Sequence, residues 1–196
     1  MSKDVADTVR AYEVPTIAVN DTARLAPWAH MLYACDYTWW MHHANWALKF
    51  RGLKVTIDDS VPFPAVLCLR THRDNTIGNP LVSGLETDSE YIRTGNNSGY
   101  QAVSIAIHAG ATRILLCGFD MAGGHWFGSH PPGLTDADPN VHRNLFIPEF
   151  EKLAKILPAG VEIINCTPGS ALQCFPMGNL EEELRRASIG NSTTAS

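Results

Sequence analysis

The segment from residue 97 to residue 120 constrains the fold most, because it contains a complete helix–turn–strand unit. Its sequence is NSGYQAVSIAIHAGATRILLCGFD. Ser98 is a natural N-cap, and Gly99 leaves room for a ligand beside the first helical turn. The mostly apolar residues that follow predict a helix closed by Gly110, and ILLCGF predicts a strand buried on both faces. From these residues alone, an ordinary structural unit is at least as good an interpretation as a ligand site.

Short apolar runs alternate with helical segments along the rest of the chain. Such alternation favours a parallel sheet flanked by helices, so the predicted fold class is α/β, with one Rossmann-like domain. That domain is predicted over residues 1–188, with a disordered tail at 189–196. Strands are predicted at 16–20, 32–36, 54–58, 65–70, 113–118 and 161–166, and helices at 3–13, 37–50, 98–110, 144–157 and 178–188. Four of these strands, at 16–20, 32–36, 113–118 and 161–165, are expected to be sheet neighbours.

Composition limits the class of protein and its partners. The chain has 196 residues, 45% of them hydrophobic, and a formal charge of −5, which is typical of one globular domain and argues against a nucleic-acid surface. The sequence has no run of 18 apolar residues and no signal-peptide core, so we expect no membrane span and a cytoplasmic location. The five cysteines are odd in number and lack CxxC spacing, which predicts reduced, buried thiols.

Polar residues and glycines follow several predicted strands at the point where each strand ends. The carboxyl ends of parallel strands share one edge of a sheet, where α/β proteins bind ligands. Each residue alone is more often a cap or turn former, but their convergence predicts a pocket. The TPGS turn at 167–170 is a candidate phosphate contact. The strand-end residues in this group are Asn20, Asp21, Asp36, Gly118, Asp120 and Ser170.

The segment 121–141 is a Gly/Pro-rich loop that carries His125, Trp126 and His130. It is predicted either to close over a ligand as a lid or to lie on the surface with its tryptophan packed down. His142 follows this loop, and a histidine there is either a general base or a structural residue. No histidine or acidic group has the spacing of a known metal motif, so no metal site is predicted.

The segment NSGYQAVSIAIHAGATRILLCGFDM, with HRNLFIPEFEKLAKIL and VEIINCTPGSAL downstream, resembles bacterial lipooligosaccharide-type sialyltransferases. It is also similar to related phage and bacterial proteins with a sialyltransferase-like or 6-hydroxymethylpterin-pyrophosphokinase-like Rossmann domain. The resemblance implies that His142 is the general base. It also implies that Asn20, Asp36, Ser98 and Gly99 contact the nucleotide.

Two features of this family have no counterpart in the sequence. The family's first strand, with its glycine-rich loop around the nucleotide phosphates, is not found ahead of the first helix. The tyrosines that assist the leaving phosphate are replaced by MAGGHWFGSHP. His125 or His130 is the candidate substitute for them.

Three functions are compatible with these observations. The first is a nucleotide-sugar-dependent glycosyltransferase, for which the resemblance implies a CMP-sugar donor and no metal or other cofactor. The second is a non-catalytic nucleotide-binding or host-interaction protein, such as a phage accessory factor acting in the host cytoplasm. The third is a pyrophosphoryl transferase, which would need Mg²⁺ held by carboxylates. The expected partner is a small nucleotide or nucleotide sugar, and the oligomeric state is left open, with a homo-oligomer as one option.

Overall fold

A computed structural model of the chain describes residues 1–71, 82–122, 124, 126–134 and 138–192. The chain is a mixed α/β protein with parallel strands, as predicted. Helices and strands alternate over most of the described length, and their bounds lie within a few residues of the predicted ones. The longer helices are α1 (Lys3–Ala11), α2 (Tyr37–Ala47), α3 (Ser98–His108), α5 (Ile147–Ala154) and α6 (Leu180–Ser192), with a short α4 at Pro139–Val141.

The strands form three hydrogen-bonded groups. The largest is a parallel sheet in the order β1-β2-β3-β4, and two further parallel pairs are β5-β6 and β7-β8. In register, Ala18 lies beside Leu32, and Leu115 lies beside Ile164. The strands are β1 (Ile17–Val19), β2 (Met31–Tyr33), β3 (Leu53–Thr56), β4 (Leu67–Cys68), β5 (Arg70–Thr71), β6 (Tyr91–Ile92), β7 (Arg113–Leu116) and β8 (Glu162–Asn165).

The expectation that four named strands would be neighbours in one sheet is wrong in one respect. The pairs β1-β2 and β7-β8 form as expected, but β1 and β7 belong to different sheets. Helix α3 connects the two sheets through side chains instead of a backbone ladder. Its Ala102 and Ile105 pack in a cluster with Tyr33 and Val55 of the larger sheet. Its other face, including Val103, packs in the cluster that contains Leu116 and Phe150.

Two further differences concern the ends of helices. The predicted N-cap Ser98 is the first residue of α3, and Asn97 is the cap. Asn97 has an extended backbone at φ −149°, so its side-chain oxygen accepts a hydrogen bond from the Tyr100 amide. At the other end of the chain, α6 runs to Ser192, four residues beyond the predicted limit at 188. Residues 193–196 of the predicted tail lie outside the described residues.

The helix predicted at 144–157 begins earlier and has a wide turn near its start. Residues His142–Phe146 form a π-helical turn between α4 and α5. Pro148, in the first turn of α5, has no N–H to donate to the carbonyl four residues earlier, which accounts for the widening. π-helical turns occur frequently at functional sites, and this one carries His142.

Helix α6 is attached to the β7-β8 pair by a buried ion pair. Glu183 is 6% exposed and forms an ion pair with the Arg113 guanidinium of β7, while Arg186 lies 3.2 Å from its other oxygen. This ion pair links α6 to the start of β7. None of the helices in the described part of the chain is long and apolar enough to span a bilayer.

The five cysteines are free thiols, but they are not all buried as predicted. Cys68 is exposed because β4 is the last strand of its sheet. Burial raises the pKa of Cys35 and of Cys117 to about 12. Burial also raises the pKa of Cys174, to about 11.

Thiol labelling of the native protein at pH 8 is expected to give one fast phase, from Cys68, because this thiol is exposed although partial burial raises its pKa as well. A thiol with a pKa of about 12 is ionised in roughly one molecule in ten thousand at this pH, and only the thiolate reacts. The number of thiols that react rapidly with Ellman's reagent measures this. Cys68→Ser should remove the fast phase, and unfolding in urea should release all five thiols. Two or more fast thiols in the native protein would contradict the prediction.

Candidate functional site

A cleft of about 330 Å³ lies beyond the carboxyl ends of β1 and β2. Two of the predicted site residues, Asn20 and Asp36, line it, whereas Ser98 and Asp120 are not among its lining residues. Asn20 follows β1 directly, and Asp36 lies three residues after β2. The segment after β7 closes another side of the cleft. The cleft is lined by Asn20, Asp36, Thr38, Trp39, His130, Gly133 and Leu134.

Asn20 has an unusual backbone and an unpaired side-chain oxygen. Its φ is +51°, a left-handed conformation that asparagine tolerates better than most residues. The Oδ1 atom is buried and has no hydrogen-bond partner among the residues that the structure describes. A buried acceptor without a partner is costly, so this oxygen is well suited to receive a donor from a ligand.

Asp36 occupies the N-cap position of α2 without using its side chain as a cap. The carboxylate is therefore not committed to the helix amides, and it lines the cleft. The preceding residue, Cys35, has its sulfur 3.0 Å from the hydroxyl of Ser98 at the start of α3. Ser98 therefore lies beside the segment that carries Asp36, although it is not among the lining residues of the cleft.

Gly99 and Gly118 allow close packing against neighbouring protein atoms. A Cβ atom on Gly99 would lie 2.6 Å from the Phe119 ring, and one on Gly118 would lie 2.7 Å from Met1. In the structure, both glycines contact protein atoms. Gly118 also has a φ of +80°, which favours glycine.

The TPGS turn supports the segment after β7 through its own side chains. The Thr167 hydroxyl accepts from the Phe119 amide at 3.0 Å, and the Ser170 hydroxyl donates to the Phe119 carbonyl. Asn165, fully buried, accepts from the Thr167 amide and donates to the Leu172 carbonyl, both at 3.0 Å. The carbonyl of Asp120 accepts from the Ala171 amide. These bonds are within the protein, so the turn acts as a scaffold for residues 118–120.

Asp21 turns away from the cleft into a buried aromatic cluster. Its Oδ2 atom accepts from the indole N–H of Trp39 at 2.9 Å and lies 3.6 Å from Nε2 of His43. The Nδ1 atom of His43 accepts from the Trp46 indole at 3.1 Å. That contact assigns the proton of the neutral imidazole to Nε2, on the side of Asp21.

Burial lowers the pKa of His43 from its ordinary value, and the nearby Asp21 carboxylate opposes this in part. Native His43 therefore binds a proton less readily than it does in the unfolded chain. The free energy of unfolding should decrease as the pH falls from about 6.5, the value for an unperturbed histidine, through the lowered pKa of native His43.

Urea unfolding of the parent and of His43→Gln between pH 5 and pH 8 measures the contribution of His43 to the pH dependence of the free energy of unfolding. The stability difference between the two proteins should change in that window and be constant above it. A difference that does not vary with pH would contradict the prediction.

Within the predicted lid, the segment 126–134 reaches the cleft through His130, Gly133 and Leu134. Trp126 is 39% exposed, and the Arg24 guanidinium lies 6.0 Å from its ring centre. Leu134 packs against the core of the larger sheet, and His130 lines the cleft. His125 lies outside the described residues.

His142 occupies the π-helical turn, with its ring 5.2 Å from that of Phe146. Its Nδ1 atom is buried, and the described part of the chain provides no hydrogen-bond partner for it. It is not among the residues that line the cleft. Its predicted role as general base stays a prediction.

Asn20 and Asp36 were predicted as site residues, whereas three other residues of the cleft, Thr38, Gly133 and Leu134, were not singled out from the sequence. Thr38 and Trp39 belong to the first turn of α2, and their proximity to Asp36 was the available signal. The aromatic content of α2 indicated core packing, which Trp39 also provides. In the described part of the chain, no group of three or more His, Cys, Asp or Glu residues could hold a metal.

No protein-family model matches the chain, and no match was found among curated proteins or solved structures.

Proposed function

We propose that the cleft binds the nucleoside part of a nucleotide within a Rossmann-like domain. The observation that carries this proposal is the meeting of Asn20 and Asp36 in one cleft beyond parallel strands. In nucleotide-binding α/β domains, an acidic residue after the second strand accepts hydrogen bonds from ribose hydroxyls. Asp36 has this position. The Asn20 side-chain oxygen, which has no hydrogen-bond partner among the described residues, would accept from an amino or hydroxyl group of the nucleoside.

We further propose that the nucleotide is the leaving group of a sugar donor, which makes the protein a sialyltransferase-like glycosyltransferase. In this reaction the acceptor hydroxyl attacks the anomeric carbon while the bond to the nucleotide phosphate breaks. His142 would take the hydroxyl proton through its ring nitrogen. The N-terminus of α3, at Ser98 and Gly99, would stabilise the negative charge on the phosphate.

The binding step is tested by Asp36→Asn with CMP as the probe. Loss of a charged acceptor for ribose hydroxyls is expected to weaken CMP binding by roughly 10- to 100-fold. Isothermal titration calorimetry measures the affinity. Asp4→Asn removes the same charge from the exposed first turn of α1 and should bind CMP like the parent. Equal affinity of Asp36→Asn and the parent would contradict the role of Asp36, and no CMP, UMP or GMP binding by the parent would contradict the proposal.

A second candidate function is nucleotide binding without catalysis. It is favoured by the absence of His142 from the lining of the cleft in the described residues. Transfer and hydrolysis assays with CMP-, UDP- and GDP-sugars, with and without Mg²⁺, separate the two functions. A transferase should consume one donor class without added metal. A binding protein should consume none while it still binds the nucleotide.

A further inference from the structure

Asp58 accepts a hydrogen bond from the start of helix α2, although it comes from a neighbouring strand end. Strands β2 and β3 are paired in parallel, with Tyr33 beside Val55, so the segments that follow them leave the sheet side by side. Asp58 lies two residues after β3, and its Oδ2 atom accepts from the amide of Tyr37, the first residue of α2, at 3.2 Å. The helix therefore begins on a carboxylate that lies 21 positions further along the chain.

The turn that carries Asp58 is held by its own hydrogen bonds. The Oδ1 atom of Asp58 accepts from the Ser60 amide at 2.9 Å, and the Asp58 amide donates to the Thr56 hydroxyl at 3.2 Å. Thr56 ends β3 and is 1% exposed, so this second bond attaches the turn to the core of the sheet. The carboxylate of Asp58 is therefore fixed at the start of α2 by contacts outside that helix.

Asp36 is the N-cap residue of α2, yet its side chain makes no capping hydrogen bond to the amides of the helix. Its backbone is extended, with φ −97° and ψ 131°, which is the ordinary conformation of an N-cap residue whose side chain does cap. Aspartate is also one of the residues preferred at this position. The backbone thus allows the cap, but Asp36 lines the cleft instead.

The carboxylate of Asp58 accounts for this choice. The N-terminal end of a helix carries a partial positive charge, and Asp58 already places a negative charge against it at the Tyr37 amide. A capping Asp36 would bring a second carboxylate to the same helix end, where the two like charges would repel each other. Asp36 therefore gains less from capping than an ordinary N-cap aspartate does, and its side chain is available to a ligand.

We infer that Asp58 is a positioning residue that takes the place of Asp36 at the start of α2 and so keeps the Asp36 carboxylate in the cleft. The inference rests on the proposed function for its ligand, whereas the coupling between the two carboxylates does not. Asp58 is not among the residues that line the cleft. Without it, the Asp36 side chain would turn back onto the first amides of α2 and leave the cleft.

Calorimetric titration of CMP into Asp58→Ala, Asp36→Ala and the double variant tests this inference. An N-cap bond shifts a side-chain equilibrium by roughly 2- to 30-fold. Asp58→Ala is therefore expected to weaken CMP binding by roughly 3- to 30-fold, because a smaller fraction of molecules has Asp36 in the cleft. In the Asp36→Ala background the same change should have no further effect. Asp58→Asn keeps an acceptor for the Tyr37 amide and should weaken binding less, and the charge control Asp59→Asn should bind like the parent.

Urea unfolding of the ligand-free proteins gives a second measurement of the same coupling. Asp36→Ala should change the unfolding equilibrium constant little in the parent, where Asp36 does not cap the helix. In the Asp58→Ala background it should raise that constant by roughly 2- to 30-fold, because Asp36 has then become the cap. A residue that only supports the helix would not show this exchange of roles.

The inference is overturned by Asp58→Ala with the CMP affinity of the parent, or by an Asp36→Ala effect on unfolding that is equal in both backgrounds. If the parent binds no CMP, the proposed function fails, whereas the unfolding cycle still decides whether Asp58 keeps Asp36 from capping. Should Asp58→Ala not fold, Asp58→Ser completes both cycles. Its hydroxyl still reaches the Ser60 amide in a turn of the same kind but is too short to reach that of Tyr37.

Discussion

His142→Ala is expected to lower kcat by roughly 10²- to 10⁴-fold if the protein is a transferase, the range for loss of general acid–base catalysis. The imidazole would remove the proton from the acceptor hydroxyl, and alanine offers no group to accept it. The affinity for the nucleotide should change little, because a base contacts the acceptor and not the donor. Steady-state transfer rates with a CMP-sugar, together with CMP titration, measure both quantities.

His108→Ala is a suitable control, because His108 is in the last turn of α3 and its ring contacts the Glu86 carbonyl at 3.0 Å. It should leave kcat near the parent value. A His142→Ala protein with unchanged kcat would remove the general-base assignment. Loss of CMP affinity together with kcat would show instead that His142 supports the fold or the nucleotide site.

Trp40→Ala is expected to lower the free energy of unfolding by about 3–5 kcal/mol, the usual range for removing a buried large aromatic side chain. Trp40 has no exposed surface, and its indole N–H donates to the Ala34 carbonyl at 2.9 Å. The substitution leaves a cavity in the core of the larger sheet and a carbonyl without its partner. Since whole domains are stable by about 5–15 kcal/mol, this one change removes a large share. Urea unfolding at pH 7 gives the value.

Trp126→Ala provides the comparison, because Trp126 is 39% exposed. Its effect on stability should be within about 1 kcal/mol, as for most surface substitutions. Trp40→Phe should fall between the two, since it keeps part of the volume but loses the N–H. Equal destabilisation by Trp40→Ala and Trp126→Ala would contradict the assignment of Trp40 to the core.

The elements of the fold could be predicted because their signals are local. The strand at Ile17–Val19 is a short apolar run, and α3 is an apolar helix with a polar cap beside it. Pairing between strands is a non-local property, so nothing in the sequence near β1 or β7 shows that they belong to separate sheets. The exposure of Cys68 likewise depends on which strand is last in the sheet.

The residues of the candidate site could be predicted where their place at the end of a strand is enough to bring them to the cleft. Asn20 and Asp36 follow parallel strands, and the carboxyl ends of such strands meet at one edge. The orientation of Asp21 was not predictable, because a carboxylate after a strand can face either a ligand or a neighbouring side chain. Asp21 faces a neighbouring side chain because the indole N–H of Trp39 donates a hydrogen bond to it, and Trp39 lies 18 positions further along the sequence.

The separation of the sheet β1-β2-β3-β4 from the pair β7-β8 affects how cooperatively the protein unfolds. Two units joined by side-chain packing and not by a shared ladder are able to open one at a time, each with its own free energy. Helix α3 belongs to the hydrophobic clusters of both units. The tightness of its packing therefore determines whether the protein opens in one step or in two. A ligand bound near the start of α3 would bias that balance from a distance.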